Sequence, residues 1–370
     1  MPRSLIAVAA GALLALTTAC SSGGGSGSTA TSVASPVPST VSSPASSSTS
    51  SAPPASSSPT SASPATGASQ ASTVPPVVAA APATVAELLT RPVVLAHAGG
   101  DDDYPHSTPY AFAESAKAGV DMLDLDVRLS ADGVLVVQHD ENVDRTTDST
   151  GPVASRTYAE LRALDNAYWF NTVCNTCKNR PEADYMWRGV RTGAKPPPTG
   201  YTADDFIIPT FRDIATRFAN LPLNIEIKGT IDDGIGVPVA TALAAELKAL
   251  GRDASTVVTS FDDAVLSAFH QLAPDVALSP GLQVSAAWVL ANTPLPDGMR
   301  ILQLPPEYEG VTVLTPDSVS RAAAAGYAIW VWPNGGTYEN EAGYRKLFAM
   351  GIPGVNASKP AAGVAARPTT

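Results

Sequence analysis

Short apolar runs alternate with segments of helical periodicity along residues 92–350 of the chain. Runs rich in Val, Ile and Leu predict eight strands: 93–97, 120–127, 134–139, 223–228, 256–260, 276–279, 301–304 and 327–332. The segments between them predict seven helices: 109–118, 158–164, 237–250, 262–272, 284–291, 317–325 and 339–350. Eight strands alternating with helices predict an α/β fold of the (β/α)8 TIM-barrel type, with a doubly wound open sheet as the alternative.

Residues 165–207 interrupt this alternation after the third predicted strand. The segment contains Trp169, Tyr185 and Trp187, together with three consecutive prolines at 196–198. A segment so rich in aromatic side chains can bury apolar surface, which a flexible linker does not. We therefore expect an ordered insertion that packs over one end of the barrel.

The composition changes sharply before the first predicted strand. Residues 21–80 consist almost wholly of Ser, Thr, Pro, Ala and Gly and contain no charged residue. Such a segment cannot bury enough apolar surface to offset the entropy lost on ordering, so it is predicted to be disordered. The expected organisation is a leader at 1–20, a linker at 21–83 and one folded domain at 84–370.

The first twenty residues have the pattern of an export signal. An apolar run at 5–16 follows Arg3, and small residues then lead to Cys20. A run of about 12 residues is too short to cross a bilayer as a helix, which needs about 20. The segment resembles a bacterial lipoprotein signal, although Thr17 stands where that pattern prefers Leu or Val. The resemblance implies lipidation of Cys20 and an exported, membrane-anchored protein; plain secretion and an ordinary N-terminal helix are the alternatives.

Charge and cysteine content narrow the possible partners. With 23 Lys and Arg against 34 Asp and Glu, the net charge of −11 argues against nucleic acid. Besides Cys20 the chain has Cys174 and Cys177, and two thiols cannot by themselves form a four-ligand zinc site. In an oxidising compartment a local disulfide is expected, with a redox-active pair as the alternative.

Acidic side chains lie on two predicted strands that are otherwise apolar. The period of two places Asp124 and Asp126 on one strand face, and it places Glu226 and Lys228 on one face of another. Neighbouring carboxylates repel one another, and a divalent cation such as Mg²⁺ or Ca²⁺ between them would relieve this. The alternatives are a solvated strand end or helix caps for the aspartates, and a buried ion pair for Glu226 and Lys228.

Two of the four histidines end predicted strands: His97 and His139. Barrel enzymes place their chemistry at the carboxyl ends of strands, and a histidine pair can act as base and acid in one reaction. A structural role for each is the alternative, and a surface or core role is expected for His270. Together with the carboxylates and Lys228, the pair predicts metal-assisted hydrolysis of a phosphate ester.

At this point an ordered set of motifs resembles the bacterial glycerophosphodiester phosphodiesterase family. The family pattern has H-R-G, E-x-D-V, D-G-x-x-V-x-H-D, R-T-T, I-P-T-L, I-E-I-K, S-F and W-T-x-N. The corresponding segments here are H-A-G at 97–99, D-L-D-V at 124–127, D-G-V-L-V-V-Q-H-D at 132–140, R-T-T at 145–147, I-P-T-F at 208–211, I-E-I-K at 225–228, S-F at 260–261 and W-P-N at 332–334. The matches keep their order over nearly the whole predicted domain.

The resemblance implies a (β/α)8 barrel that requires Ca²⁺ or Mg²⁺ and hydrolyses glycerophosphodiesters to glycerol 3-phosphate and an alcohol. It implies a small-molecule phosphodiester as the partner, and we expect a monomer. The roles it implies are general base and acid for His97 and His139, metal ligation by Asp124, Asp126 and Glu226, a phosphate contact for Lys228, and a wall of the substrate pocket for Trp332. A phospholipase D- or C-like activity on intact lipids or wall polymers, and a non-catalytic phosphodiester-binding lipoprotein, are the alternatives.

Three positions depart from the family pattern. Ala98 replaces the arginine of H-R-G and so removes a bidentate phosphate contact. Asp124 is one methylene shorter than the family's glutamate. His106 stands in P-H-S-T where the family shows P-E-N-T, and it either compensates as a cation for the missing arginine or reflects drift. The run 101–103 of three aspartates is expected to be a solvated loop, with a second metal site as the alternative.

Overall fold

The computed structural model describes residues 81–369. Cys20, the leader and nearly all of the predicted linker lie outside these residues. The strands are β1 (Val93–Ala96), β2 (Met122–Leu129), β3 (Leu135–Val137), β4 (Leu223–Ile227), β5 (Thr256–Thr259), β6 (Ala277–Leu278), β7 (Ile301–Leu304), β8 (Glu307–Tyr308), β9 (Val311–Thr312), β10 (Ala328–Val331) and β11 (Gly354–Ala357). The α-helices are α1 (Val85–Leu88), α2 (Pro109–Ala118), α3 (Tyr158–Ala163), α4 (Phe211–Arg217), α5 (Gly236–Leu250), α6 (Asp263–Leu272), α7 (Leu282–Ala291), α8 (Pro316–Ala325), α9 (Glu341–Ala349) and α10 (Pro360–Ala366).

Eight parallel strands form a nearly closed barrel in the order β6, β5, β4, β2, β1, β11, β10, β7. The two ends of this path, β6 and β7, are linked by a hydrogen bond of 3.3 Å, which the backbone amide of Gln303 in β7 donates to the side chain of Ser279, the residue after β6. Helices pack outside the sheet and cover it. The predicted (β/α)8 barrel is therefore confirmed.

The prediction was wrong for one of the eight barrel strands. The segment at 134–139 contributes only β3, which pairs antiparallel with β2 as the second arm of a hairpin. The eighth barrel strand is β11, which lies between β1 and β10. The pattern missed it because its four residues, Gly-Val-Asn-Ala, are short and include Gly354 and Asn356, two residue types that are poor strand formers. Helices α1, α4 and α10 were also not predicted.

The alternation of side chains along β2 and β4 divides the barrel into an outer apolar layer and an inner polar one. Leu123, Leu125 and Val127 face the helices, as do the three apolar residues of β4. The intervening positions, including Asp124, Asp126 and Asn224, therefore point into the barrel. The period of two thus places the acidic side chains inside, as the sequence predicts.

An apolar cluster fills the amino-terminal end of the barrel. Inward residues of five strands meet there, among them Met122, Val257 and Trp330, and Leu88 of α1 packs against them. Trp330 can occupy this space because its neighbour in the sheet is Gly354, where any Cβ would lie 2.2 Å from the indole ring. The carboxyl ends of the strands form the opposite, open face, where the side chains of His97 and His139 remain 34% and 44% exposed. Barrel enzymes place their chemistry at this face.

The insertion at 165–207 is ordered and aromatic, as predicted, and it packs against α2. Tyr110 of α2 stacks on Phe206 with ring centroids 4.9 Å apart and also contacts Trp187 at 5.2 Å. A disulfide joins Cys174 and Cys177 within it. Over residues 81–369, no helix combines the length and the apolar character that crossing a bilayer requires.

Replacing Gly354 with alanine is expected to destabilise the barrel. The new Cβ would overlap the buried Trp330 ring, and overpacking of this kind costs about 1–3 kcal/mol. Urea unfolding of the full chain would measure the loss. Gly335→Ala is the matched control, because a Cβ at Gly335 meets nothing within 4 Å. Equal stability of both variants would contradict the packing described here.

Candidate active site

The backbone after β1 turns sharply and directs His97 towards the open end of the barrel. The turn His97–Gly99 has left-handed torsions, with φ of 45° at Ala98, 83° at Gly99 and 88° at Gly100. A Cβ at Gly100 would lie 2.5 Å from Pro360, so only glycine fits there. Ala98 tolerates a conformation that non-glycine residues rarely adopt, and such strain is concentrated at functional sites.

His97 is held by the first aspartate of the acidic run. Its Nδ1 lies 2.9 Å from Asp101 Oδ1, which leaves Nε2 on the opposite side of the ring from that contact. Burial alone would lower the pKa of His97, but Asp101 and the two aspartates of β2 outweigh this effect and raise it to about 10. In the same pair, burial would raise the pKa of Asp101, yet the contact with His97 lowers it well below its usual range. The pair is therefore an imidazolium–carboxylate ion pair.

His139 has an equivalent anchor. Its Nδ1 lies 2.6 Å from Asp140 Oδ1, and Arg145 binds both oxygens of the same carboxylate at 2.6 and 2.9 Å. These contacts lower the pKa of Asp140 although partial burial opposes them. Arg128 also donates to the backbone carbonyl of His139 at 3.0 Å. The His139 ring is thus fixed through both its side chain and its backbone.

Two carboxylates lie side by side where β2 and β4 pair. Asp126 and Glu226 are register partners, and Lys228 places its Nζ 3.0 Å from Asp126 Oδ1 and 2.6 Å from Glu226 Oε1. Burial would raise the pKa of Asp126, but Lys228 lowers it, whereas burial and the neighbouring Asp126 keep the pKa of Glu226 above its usual value. The buried Glu226–Lys228 ion pair that the sequence offered as an alternative is therefore present.

Asp124 lies one layer deeper in a network of amides. Asn224 donates to the Asp124 carboxylate, and it exchanges two hydrogen bonds of 2.9 Å with Gln303 across the barrel. Asn356 also bonds to Asp124, and burial raises the pKa of that carboxyl group. Asn356 Oδ1 is buried and has no hydrogen-bond partner among residues 81–369.

The oxygen atoms at this end of the barrel are chemically suited to bind a hard divalent cation. They are carboxylate oxygens of Asp124, Asp126 and Glu226, with an unsatisfied amide oxygen of Asn356 nearby, and Ca²⁺ and Mg²⁺ prefer such ligands. In the part of the chain that the structure describes, no three His, Cys, Asp or Glu side chains are grouped so that they could hold a metal ion. The Lys228 ammonium supplies the positive charge between Asp126 and Glu226 instead. Metal ligation stays a prediction.

His106 is buried next to the site but does not supply a positive charge. Its ring lies edge-to-face on His139, with centroids 5.9 Å apart, and its Nδ1 lies 2.9 Å from Ser107 Oγ. Burial and the nearby charge of Arg145 lower the pKa of His106 from 6.5 to about 3. A neutral ring cannot replace the cation lost at Ala98. The compensating role that the sequence suggested as one option is therefore not supported.

Trp332 follows β10 and belongs to an apolar edge of the open face. Its ring contacts Phe261, which follows β5, with centroids 6.4 Å apart. Phe261 is 50% exposed and Ile231 is 45% exposed. The backbone amide of Ile231 donates to the carboxylate of Asp262, the residue after Phe261, at 2.8 Å. These three residues, Ile231, Phe261 and Trp332, form what is called the apolar rim below.

The sequence analysis identified the two histidines but missed the groups that hold them. Asp101 was expected to be a solvated loop residue, and Asp140 was treated only as part of a motif. A further buried carboxylate, Glu339, accepts hydrogen bonds from the amide and hydroxyl of Ser358 at 3.1 and 3.2 Å. Burial raises the pKa of Glu339 to about 7. The spacing of Asp101, four residues after His97, was the only signal for its role.

Comparisons with known proteins point to one family. Residues 97–361 match the model of the glycerophosphoryl diester phosphodiesterase family. A glycerophosphodiester phosphodiesterase of Bacillus subtilis is 26% identical over 277 residues, which is 73% of this chain and 84% of that protein. One from Bacillus altitudinis is 28% identical over 186 residues, 50% of this chain and 64% of its own length.

A solved structure supports the fold. A phosphodiesterase from Oleispira antarctica, determined with the product sn-glycerol-3-phosphate, superposes with a TM-score of 0.55 and 22% identity. The match covers 75% of this chain and 97% of that one. At this identity the likeness concerns the fold alone.

The buried neutral His106 is expected to make stability depend on pH. Its folded pKa, about 3, lies below the usual 6.5, so the unfolded chain binds more protons between these values. Stability is therefore lost as the pH falls from 6.5 towards 3, by up to about 1.4 kcal/mol per pH unit from this group. His106→Gln should flatten the pH dependence of the unfolding free energy, measured by urea titration at several pH values.

The control for this measurement is His270→Gln. His270 is exposed on α6, so its loss should leave the pH dependence unchanged. If His106→Gln and the wild type lost stability equally between pH 6 and 4, His106 would not be a buried neutral group.

Proposed function

Because the chain belongs to the glycerophosphoryl diester phosphodiesterase family, whose members are phosphoric diester hydrolases, we propose that it hydrolyses glycerophosphodiesters to glycerol 3-phosphate and an alcohol. The observation that carries this proposal is the pair of aspartate-anchored histidines beside buried carboxylates at the open end of the barrel. The sn-glycerol-3-phosphate bound to the Oleispira antarctica phosphodiesterase supports the same product.

The two histidines act as the acid and the base. In each, Nδ1 is occupied by an aspartate, Asp101 for His97 and Asp140 for His139, so Nε2 is the nitrogen that exchanges protons with the substrate. One ring accepts the proton of the attacking oxygen, either water or a neighbouring hydroxyl of the substrate. The other ring donates a proton to the leaving alkoxide as its bond to phosphorus breaks.

A divalent cation, Ca²⁺ or Mg²⁺, is part of the proposal. Asp124, Asp126 and Glu226 would hold it, and when bound it would neutralise negative charge on the phosphoryl oxygens. The Lys228 ammonium contacts two of these carboxylates, Asp126 and Glu226. It would then be free to contact an anionic oxygen of the substrate, as the family resemblance implies.

The remaining expectations concern location. We propose an exported protein, anchored to the outer face of the cell membrane through Cys20 or secreted, with residues 21–83 as a tether to the barrel. The Cys174–Cys177 disulfide supports an oxidising compartment, because cytosolic proteins rarely keep such bonds. A monomer acting on a small-molecule phosphodiester is the expected working form.

A second candidate activity is supported by the apolar rim. Phe261 and Ile231 are large and exposed, and Phe261 contacts Trp332; such side chains at the mouth of a site suit a substrate with an apolar portion. This favours hydrolysis of intact phospholipids as an additional activity of the same machinery. Anchoring through Cys20 would bring the site close to such lipids.

Substituting His97 is expected to abolish the acid–base chemistry. His97→Ala should lower kcat for a glycerophosphocholine-type diester at least about 100-fold, the usual contribution of a general acid or base. His270→Ala is the matched control and should keep full activity, because His270 is exposed on α6. Product formation would be followed by release of glycerol 3-phosphate.

Metal removal completes this test. Treatment of the wild type with EDTA should stop turnover, and adding Ca²⁺ or Mg²⁺ should restore it. Undiminished turnover by His97→Ala would reject the histidine mechanism. Undiminished turnover after EDTA treatment would reject the requirement for a metal ion but would not contradict the roles proposed for the histidines.

The apolar rim is expected to affect lipid substrates selectively. Phe261→Ala removes a contact worth about 1–3 kcal/mol if the ring packs on an acyl chain, so KM for micellar phospholipid should rise about 10-fold or more. KM for the soluble deacylated diester should not change. Leu272→Ala, another exposed apolar residue, serves as the control. No turnover of micellar phospholipid by the wild type would eliminate the second candidate.

A further inference from the structure

We propose that Asn175 is a positioning residue for His97, delivered to the active site by the disulfide-closed loop at 174–177 of the insertion. This rests on the proposed acid–base role of His97. This role would give the insertion at 165–207 a function in catalysis.

The contact runs through both oxygens of one carboxylate. Asn175 Nδ2 lies 3.2 Å from Asp101 Oδ2, while Asp101 Oδ1 lies 2.9 Å from His97 Nδ1. The opposite orientation of the amide would set its carbonyl oxygen against the carboxylate, so the donor must be the NH₂ group. Asp101 is therefore held on one side by the barrel histidine and on the other by the insertion.

A chain of four residues has little freedom to move when its two ends are covalently joined. The Cys174–Cys177 bond closes such a loop around Asn175, whose φ of 64° is left-handed. Asparagine tolerates this conformation better than other non-glycine residues, and it also carries the required amide. Both properties are needed at this position.

The loop is supported from beneath by a buried side chain. Asn171 Oδ1 accepts from the amides of Val173 and Cys174 at 3.2 and 3.0 Å, and its own backbone amide donates to the Asn175 carbonyl at 2.7 Å. Asn171 is fully buried. These hydrogen bonds fix the backbone of the loop, and therefore the direction in which the Asn175 side chain projects from it.

The far end of the loop is tied to the aromatic core of the insertion. The Tyr185 hydroxyl donates to the Cys177 carbonyl at 2.9 Å. The Arg188 guanidinium lies over the Tyr185 ring at 3.8 Å and over the Trp169 ring at 4.6 Å. A continuous path of packed and hydrogen-bonded groups thus connects the insertion to the imidazole of His97.

The consequence for catalysis is geometric. Asp101 fixes the orientation of the His97 ring only if the carboxylate itself is fixed, and the hydrogen bond from Asn175 restricts rotation of that carboxylate. Losing this restraint should reduce the fraction of molecules whose imidazole points at the substrate. Misplacement of a catalytic group lowers kcat more than it weakens substrate binding.

The test compares variants that respect the left-handed backbone. Asn175→Gly removes the amide without straining the loop, and Asn175→Asp keeps the shape but faces Asp101 with a second carboxylate. In the full chain, kcat for the glycerophosphodiester should fall about 10-fold in Asn175→Gly and further in Asn175→Asp, with KM nearly unchanged. Val173→Ala, an exposed change in the adjoining turn, is the matched control and should behave as wild type.

A second measurement is independent of activity. The proton of the His97 Nδ1–Asp101 hydrogen bond should give a downfield resonance in the proton NMR spectrum of the wild type, which His97→Ala identifies by its absence. This resonance should be broadened or lost in Asn175→Gly, and also in the double variant Cys174→Ser with Cys177→Ser. It should persist in Val173→Ala.

Failure of this proposal can be told apart from failure of the proposed function. Wild-type kcat and an unchanged resonance in Asn175→Gly would overturn the positioning role, whatever the substrate. A wild-type protein without diester turnover would reject the proposed function, and the NMR comparison would still decide whether Asn175 positions His97. Thermal melting checks that each variant is folded, and Asn175→Asp replaces Asn175→Gly should the latter fail to fold.

Discussion

The pairing of two neighbouring strands places two carboxylates side by side inside the barrel, where they repel each other. The positive charge that lies between them relieves this repulsion, and the rest of the candidate site is arranged around it. Asp126 and Glu226 are register partners of β2 and β4, so the sheet itself sets their separation. Burial of like charges is unfavourable unless positive charge is close by. Lys228 lies between them, and its ammonium group lowers the pKa of Asp126 against the effect of burial. Asp101, together with Asp124 and Asp126 of β2, raises the pKa of His97. A site that concentrates negative charge in this way is suited to attract cations and to hold histidines ready for proton transfer.

The barrel supplies the carboxylates, whereas the loops supply the orientation of the histidines. His97 and His139 each depend on an aspartate outside the strands, and these aspartates depend in turn on Asn175 and Arg145. The division has a physical reason, since strand positions are determined by backbone pairing but a rotatable imidazole needs a partner at Nδ1 to fix its direction. The orientation of these two histidines therefore depends on segments that vary in length and sequence far more easily than the sheet.

The three departures from the family pattern take on a structural meaning. Ala98 lies fully buried in a left-handed turn, where it presents only a backbone carbonyl, which accepts from the amide of Ser107 at 2.8 Å. His106 is neutral and packs on His139, so it contributes shape rather than charge. Asp124 is held by amides instead of by a cationic side chain. The Arg145 guanidinium does not replace the missing arginine, because it is already engaged with Asp140.

The sequence by itself determined which side chains face the barrel interior and which end the strands, because a period of two and the position of a histidine after an apolar run are local properties. It was sufficient for Asp124, Asp126, Glu226 and His97, whereas His139 follows the hairpin arm β3 and not a barrel strand. It could not distinguish β3 from a barrel strand or detect β11, since pairing partners are set by contacts between segments far apart in the chain. Only the tertiary structure decided that Lys228 bridges two carboxylates, and that Asp101, 74 residues before Asn175, is held by that residue's amide. Such contacts arise from packing of the insertion on the barrel, and no local pattern encodes them.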